Sequence, residues 1–216
     1  MIRKPPVEIL IATGNPGKIR EIEQALSGLP VKFRYLAEFS NVSSVEEVGQ
    51  TYEENATLKA LGYLRETGIC ALADDSGLEV DSLGGIPGVF SARFGGAQSS
   101  DLERTEKLLA TLSEYPVEQR TARFVCCMVL AGWQAEANQT LTADPHRLTV
   151  MERRCEGTIA TAPRGSGGFG YDPVFVPVGY DMTFAELPPA VKNKISHRAL
   201  ALAAMREFLD RWLGET

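Results

Sequence analysis

The stretch VEILIATGNPGKIREI, from Val7 to Ile22, decides how the rest of the chain is read. Val7–Ala12 is apolar and β-branched apart from Glu8, the pattern of a short buried strand. Thr13-Gly14-Asn15-Pro16-Gly17 breaks that pattern. From Lys18 onward Ile19, Ile22, Ala25 and Leu26 recur at helical spacing, so a helix is expected over Lys18–Leu26. Strand, tight turn and helix in this order open an α/β fold.

The pattern continues outward. Val31–Leu36 reads as a second strand. Thr51-Tyr52-Glu53-Glu54 forms a capping box for a helix running to Thr67, stopped by Gly68. Cys70–Ala73 is a short apolar strand ending at Asp74-Asp75-Ser76-Gly77, with a brief strand expected at Leu78–Val80. Gly84–Gly96 is loop. Ser100-Asp101-Leu102-Glu103 opens a helix to Leu112, and Thr121–Ala131 is a central strand. More strand is expected within Gln139–Glu156, an extended piece at Pro173–Val176, and a final helix over Ser196–Leu213. Helices alternate with strands early and strands dominate the middle, which gives a mixed sheet flanked by helices. A single domain over 1–216 is expected, with two lobes and no linker composition between them.

The 216 residues are 44% apolar and 23% charged, an ordinary globular composition. A net charge of -6 and the lack of an aromatic–basic stripe disfavour a nucleic-acid partner, but not a small anionic substrate. Cys70, Cys126, Cys127 and Cys155 form no C-x-x-C pair, so they read as reduced thiols of a cytoplasmic protein. No signal peptide and no membrane span are expected.

Several segments carry candidate chemistry. Thr13–Lys18 is a strand-to-helix turn whose unpaired N–H groups suit an anion, with Lys18 adding charge. It is not a Walker A loop, which needs two more residues between its glycines. The plain reading is a turn that ends in lysine. Asp74 and Asp75 end an apolar strand, where carboxylates suit metal binding or general-base work. Neighbouring strand residues face opposite ways, so one is expected in the site and the other on a loop. Glu46, Glu47, Glu53 and Glu54 can each supply a hard oxygen to magnesium, although capping explains the last two. Asn55 and Lys59 share a helix face. Lys59 reaches a phosphate or snorkels at a core edge.

Gly165, Gly167 and Gly170 match G-x-G-x-x-G formally. Tyr171-Asp172-Pro173 cannot open the helix that a dinucleotide fold requires. The loop instead suits base stacking by Phe169 and Tyr171, with Asp172 as a hydrogen-bond partner. Lys192–Arg198 precedes the final helix. Its His197-Arg198 pair could read purine edge oxygens, and two histidines in the whole chain argue against a His-based triad or metal site.

Taken together, ATGNPGKIREI from Ala12, YEENATLKA from Tyr52, ADDSGLEVDSLGGIPGVFSARFGG from Ala73, GSGGFGYDPVF from Gly165 and ISHRALAL from Ile195 resemble the inosine triphosphate pyrophosphatase family, also called XTP/dITP diphosphatases. The motifs occur in the family's order and span nearly the whole chain. The resemblance implies an elongated mixed α/β fold of two lobes with a central substrate cleft, usually a homodimer. It implies magnesium-dependent hydrolysis of dITP, ITP and XTP to the monophosphate and pyrophosphate, which removes deaminated purines from the nucleotide pool. Carried over, Thr13, Gly14, Asn15, Pro16, Gly17, Lys18 and Lys59 would hold the triphosphate. Asp75 would be general base and metal ligand, with Glu46 as the other ligand and Glu47 as its rival. Ser76 would contact substrate. Phe169 would stack on the base, within a Phe169-Gly170-Tyr171-Asp172 substrate segment. Asp172, Lys192, His197 and Arg198 would contact base or sugar-phosphate, and Arg93 is a weaker candidate. The rival readings are a pyrophosphatase for other modified nucleotides and a nucleotide-binding module without turnover.

Overall fold

The computed structural model describes residues 6–96, 98–133 and 147–214. Six strands form one sheet in the order β2-β1-β3-β4-β5-β6. These are β1 (Val7–Ile11), β2 (Val31–Tyr35), β3 (Cys70–Val80), β4 (Thr121–Ala131), β5 (Leu148–Ile159) and β6 (Phe175–Pro177). β1 runs parallel to β2, from Val7 opposite Val31 to Ile11 opposite Tyr35, and parallel to β3, while β6 runs antiparallel to β5. The sheet is therefore mixed, as expected. The helices are α1 (Pro16–Ala25), α2 (Tyr52–Thr67), α3 (Asp101–Thr111), α4 (Pro189–Ile195) and α5 (His197–Gly214).

The chain divides into two compact units. The first comprises Met1–Asp75, Cys127–Glu152 and Ala201–Thr216; the second comprises Ser76–Cys126 and Arg153–Leu200. In the first unit Ile9, Leu10, Ile11, Ile22, Leu26, Ala56, Ala60 and Leu72 are fully buried or nearly so. In the second, Leu78, Leu108, Leu112, Phe124, Ile159, Phe175 and Phe184 form one buried cluster. Among the described residues no helix is long and apolar enough to cross a membrane.

The capping rules placed α2 and α3 well. Thr51 accepts the Glu54 N–H while Glu54 reaches back to Thr51, and Gly68 closes α2 in the left-handed region at φ 68°. Ser100 and Glu103 do the same for α3. Three expectations need correction. β3 is one strand from Cys70 to Val80 rather than two short pieces, because Asp74 and Asp75 are buried with cationic partners and need not leave the sheet. Helix α1 begins at Pro16, not Lys18, since Asn15 caps it and Pro16 fits its first turn. The last helix stands where expected, as α5 from His197 to Gly214, with Ser196 extended before it and its hydroxyl accepting the Ala199 N–H. Finally, a turn at Tyr171, whose carbonyl accepts the Val174 N–H, delays β6 to Phe175. Strand in the second half of Gln139–Glu156 is present as β5; residues 139–146 lie outside the described residues.

Candidate active site

The charged centre of the first unit is built on β3, α1 and α2. Lys18, in the first turn of α1, reaches Asp74 at 2.9 Å, where the carboxylate is fully shielded from solvent. Lys59 of α2 bonds Glu47 at 3.0 Å and lies 3.7 Å from Asp75. Asn55, one turn earlier on α2, donates its amide to Asp75 Oδ2 at 3.1 Å and accepts the Gly49 N–H at 2.8 Å. Both neighbouring carboxylates thus have a lysine. Lys59 is likewise buried and ion-paired, not snorkelling.

Glu47, and not Glu46, joins this centre. Exposure alternates from Val45 to Gly49, with Glu46 and Val48 outward and Glu47 and Gly49 inward. The segment runs along α2: a side chain at Gly62 would meet Val45 at 2.6 Å, and one at Gly49 would meet Asn55 at 2.7 Å. Asn55, Lys59 and Gly62 lie at i, i+4 and i+7, one helix face. Sequence reasoning noticed the first two and gave Asn55 no role. The mid-helix Gly62 was the missed signal.

The electrostatics follow from burial. Burial pushes the Asp75 carboxyl above the usual carboxylate range, and the nearby Lys59 ammonium offsets only part of that rise. Burial also works against the Lys59 charge, but the Asp74, Asp75 and Glu47 carboxylates outweigh it and hold its pKa raised. Three carboxylates, Asp74, Asp75 and Glu47, thus lie about two lysines. Carboxylate oxygens suit a hard divalent cation. Among the described residues no group of three or more His, Cys, Asp or Glu could hold a metal by itself. Asp75 and Glu47, which both approach Lys59, are the carboxylates here that could hold a hard divalent cation with waters completing its shell.

The turn before α1 differs from expectation. Asn15 Oδ1 accepts the Gly17 and Lys18 N–H groups, at 2.8 and 3.3 Å. Those donors are not open to an anion while the cap is made. Thr13 Oγ1 in turn accepts the Asn15 N–H at 3.2 Å. Gly14, Asn15 and Pro16 are exposed, and nothing lies within 4 Å of where a Gly14 side chain would start.

The second unit holds the other sequence candidates. Phe169 is half-buried, with the Lys192 ammonium 5.0 Å and the Arg198 guanidinium 5.6 Å from its ring centre. Asp172 is buried, and its Oδ2 accepts both the Phe169 N–H at 2.8 Å and the Lys192 ammonium at 2.6 Å. Arg198 donates to the Ser76 hydroxyl at 2.8 Å. His197 is buried and stacked on Phe124, centroids 4.6 Å apart and planes 9° apart. Two expectations change. Tyr171 does not stand beside Phe169 as a stacking ring: it is buried in the core and donates its hydroxyl to the Ser91 carbonyl. Asp172 spends Oδ2 on the loop and on Lys192, so it first of all shapes the loop. Arg93 is exposed, 4.9 Å over the Phe90 ring.

A sequence model described as the Ham1 family matches residues 9–208. The chain belongs to the Ham1 family. Both Ham1-family clusters, from Lys18 to Arg198, fall within that match. Similar Ham1 relatives include a dITP/XTP pyrophosphatase of Geobacillus kaustophilus, 46% identical over 96% of each chain. Another, from Syntrophobacter fumaroxidans, is 48% identical over 95% of this chain and 84% of the relative. Among solved structures, a HAM1 protein from Coxiella burnetii superposes with a TM-score of 0.84 at 39% identity, covering 95% of this chain and 99% of the other. A nucleoside-triphosphatase / dITP/XTP pyrophosphatase from Mycobacterium abscessus gives 0.71 at 41% identity, covering 92% and 97%. The mixed sheet with flanking helices is thus the Ham1 architecture.

Proposed function

We propose that this protein is a dITP/XTP pyrophosphatase, a hydrolase that cleaves dITP, XTP and ITP to the nucleoside monophosphate and pyrophosphate. The observation that carries the reading is the buried Asp75, clamped by Asn55 and Lys59 and held above the ordinary carboxylate pKa by burial. A carboxylate tuned upward is a better proton acceptor near neutral pH. The relatives of the Ham1 family supply the substrate class.

In this mechanism Asp75 orients the attacking water and takes its proton. Lys18 and Lys59 release part of their hold on the carboxylates and stabilise charge on the leaving pyrophosphate. The turn from Thr13 to Lys18 contacts the polyphosphate, with its Gly17 and Lys18 N–H groups available only once the Asn15 cap opens. Asp75 and Glu47 would hold magnesium, with Glu47 favoured over Glu46 because Glu47 turns inward. When bound, the ion neutralises phosphate charge and acidifies its water. Phe169 stacks on the base, and Lys192 and Arg198 present donors beside that ring. A 6-oxo purine accepts from such donors, whereas the 6-amino group of adenine leaves them unpaired, a difference worth ~10,000-fold or more in a buried site. Ser76 and His197 complete the base and sugar contacts. Clearance of deaminated purines, a homodimer and a cytoplasmic location belong to the same reading. The four buried, free cysteines suit a reducing compartment.

The test is a product assay with dITP, XTP, ITP, dATP and dGTP, with and without magnesium, on wild type and Asp75→Asn. Magnesium-dependent pyrophosphate release from the first three, lost in the variant, is expected. Orthophosphate release would refute the chemistry, equal cleavage of dATP the specificity, and an active Asp75→Asn enzyme the site.

A further inference from the structure

We propose that Asp101, the first residue of α3, is a positioning residue for base recognition: it fixes the glycine-rich loop so that the Phe169 ring stands ready to stack. The proposal rests on the stacking role given to Phe169 above.

Phe169 lies between two glycines in the left-handed region, Gly168 at φ 73° and Gly170 at φ 63°. Such a pair gives the loop many alternative shapes, because glycine visits both signs of φ freely. Something must therefore select one shape on each side of the ring. On the Gly168 side that anchor is Asp172, which accepts the Phe169 N–H. It is part of the loop itself and of the Lys192 ion pair. On the Gly170 side the anchor comes from α3. Asp101 Oδ2 accepts the Gly170 N–H at 2.6 Å, and the buried Thr105 hydroxyl lies 3.5 Å from the Gly170 carbonyl oxygen. Nothing crowds the position where a Gly170 side chain would start. Side-chain packing at that position thus cannot fix the loop, and the two hydrogen bonds from α3 supply the restraint.

Asp101 is itself held. Its Oδ1 pairs with Arg104, and Arg104 also donates to the Ala92 carbonyl at 3.1 Å and to the Ser99 carbonyl. The carboxylate therefore sits on a rigid helix start, with one oxygen tied back and the other presented to the loop. That division of labour is more than a capping residue needs, since Ser100 already serves as the N-cap. An ionised acceptor makes the bond to Gly170 stronger than a neutral one.

The experiment separates positioning from bulk stability by conservative rescue and by a double-mutant cycle. Asp101→Ala removes the acceptor, and its KM for dITP is expected to rise about tenfold with kcat within about twofold, the loss of one hydrogen bond to a charged group. Asp101→Asn keeps an oxygen for the Gly170 N–H while losing the ion pair with Arg104, and restores most of the KM. In a Phe169→Ala background, Asp101→Ala adds no further increase, because the group it positions is gone. Asp101→Ser, which still suits a helix start but cannot reach Gly170, repeats the Asp101→Ala result if that protein folds poorly. The proposal is overturned if Asp101→Ala leaves KM unchanged while Phe169→Ala raises it. It is also overturned if the two effects simply add, or if Asp101→Asn is as impaired as Asp101→Ala. If Phe169→Ala itself leaves KM unchanged, the stacking assignment fails, and the positioning proposal falls with it.

Discussion

Replacing Asp75 by Asn should make the protein both nearly inactive and more stable at neutral pH. The folded chain holds the Asp75 carboxyl above its ordinary pKa, chiefly by burial. It therefore favours the protonated form more than the unfolded chain does. The stability this supplies is complete below the unfolded pKa of about 3.9 and is lost as pH rises through the folded value. At pH 7 the ionised group is a net cost. Asn has the same shape, so no cavity opens, and its carbonyl can still accept from Asn55. Lys59 retains Glu47 at 3.0 Å. The substitution removes one negative charge from the group of carboxylates about Lys18 and Lys59. Relief of a strained functional site is typically worth ~0.5–2 kcal/mol. For a chain of this length that is a Tm increase of about 1–8 °C. The assay is thermal unfolding by circular dichroism from pH 8 downward, beside turnover of dITP. Turnover should fall ~100-fold or more. The stability gain should be largest at the high end and shrink toward about pH 4, where wild type is also protonated. A variant less stable than wild type at pH 7, or a gain independent of pH, would refute the reasoning.

Other outcomes follow from single contacts. Arg120 is buried and donates to three carbonyls, those of Tyr115 at 2.9 Å, Leu112 at 2.8 Å and Ala160 at 3.5 Å. Arg120→Met should lose about 3 kcal/mol in urea unfolding, and a loss under about 1 kcal/mol would mean those carbonyls find other donors. At Gly168 a side chain would meet Asp172 Oδ2 at 2.0 Å, at φ 73°. Gly168→Ala should cost about 1–2 kcal/mol from the backbone alone and raise the KM for dITP; unchanged KM would show the loop to be pliable. Thr51→Ala removes the α2 cap and should cost about 1 kcal/mol with Lys59 still in place, read as a lower unfolding midpoint at unchanged m-value.

Much of the fold was legible because its signals are local. Thr51 with Glu54, Ser100 with Glu103, and Gly68 each act within four residues, and α2 and α3 appear where those caps place them. The Asn15-Pro16 pair was equally local and marks the α1 start, yet an anion-binding reading of the same turn competed with it. β3 was misjudged because two carboxylates look like a strand end until their lysines are in view. Those partners are distant in sequence: Lys18 lies 56 positions from Asp74, from 74 − 18. The choice between Glu46 and Glu47 depended on which parity of an extended segment meets α2, and only packing against Gly62 and Asn55 decides that. Tyr171 was misplaced for a similar reason, since its core environment comes from β3, α3 and the Ser91 turn together.

The tight seating of the glycine-rich loop bears on redesign. At Gly165 an added side chain would meet the Ala185 backbone at 2.5 Å, and at Gly167 the Ala185 carbonyl at 2.9 Å. Together with Gly168, three positions of the loop have no room for a larger side chain. A library meant to redirect base preference would waste most of its members there. Diversity belongs at Phe169, whose ring is half-exposed, and in the residues that brace it from α3, where a change in helix surface alters the pose of the ring without entering the loop.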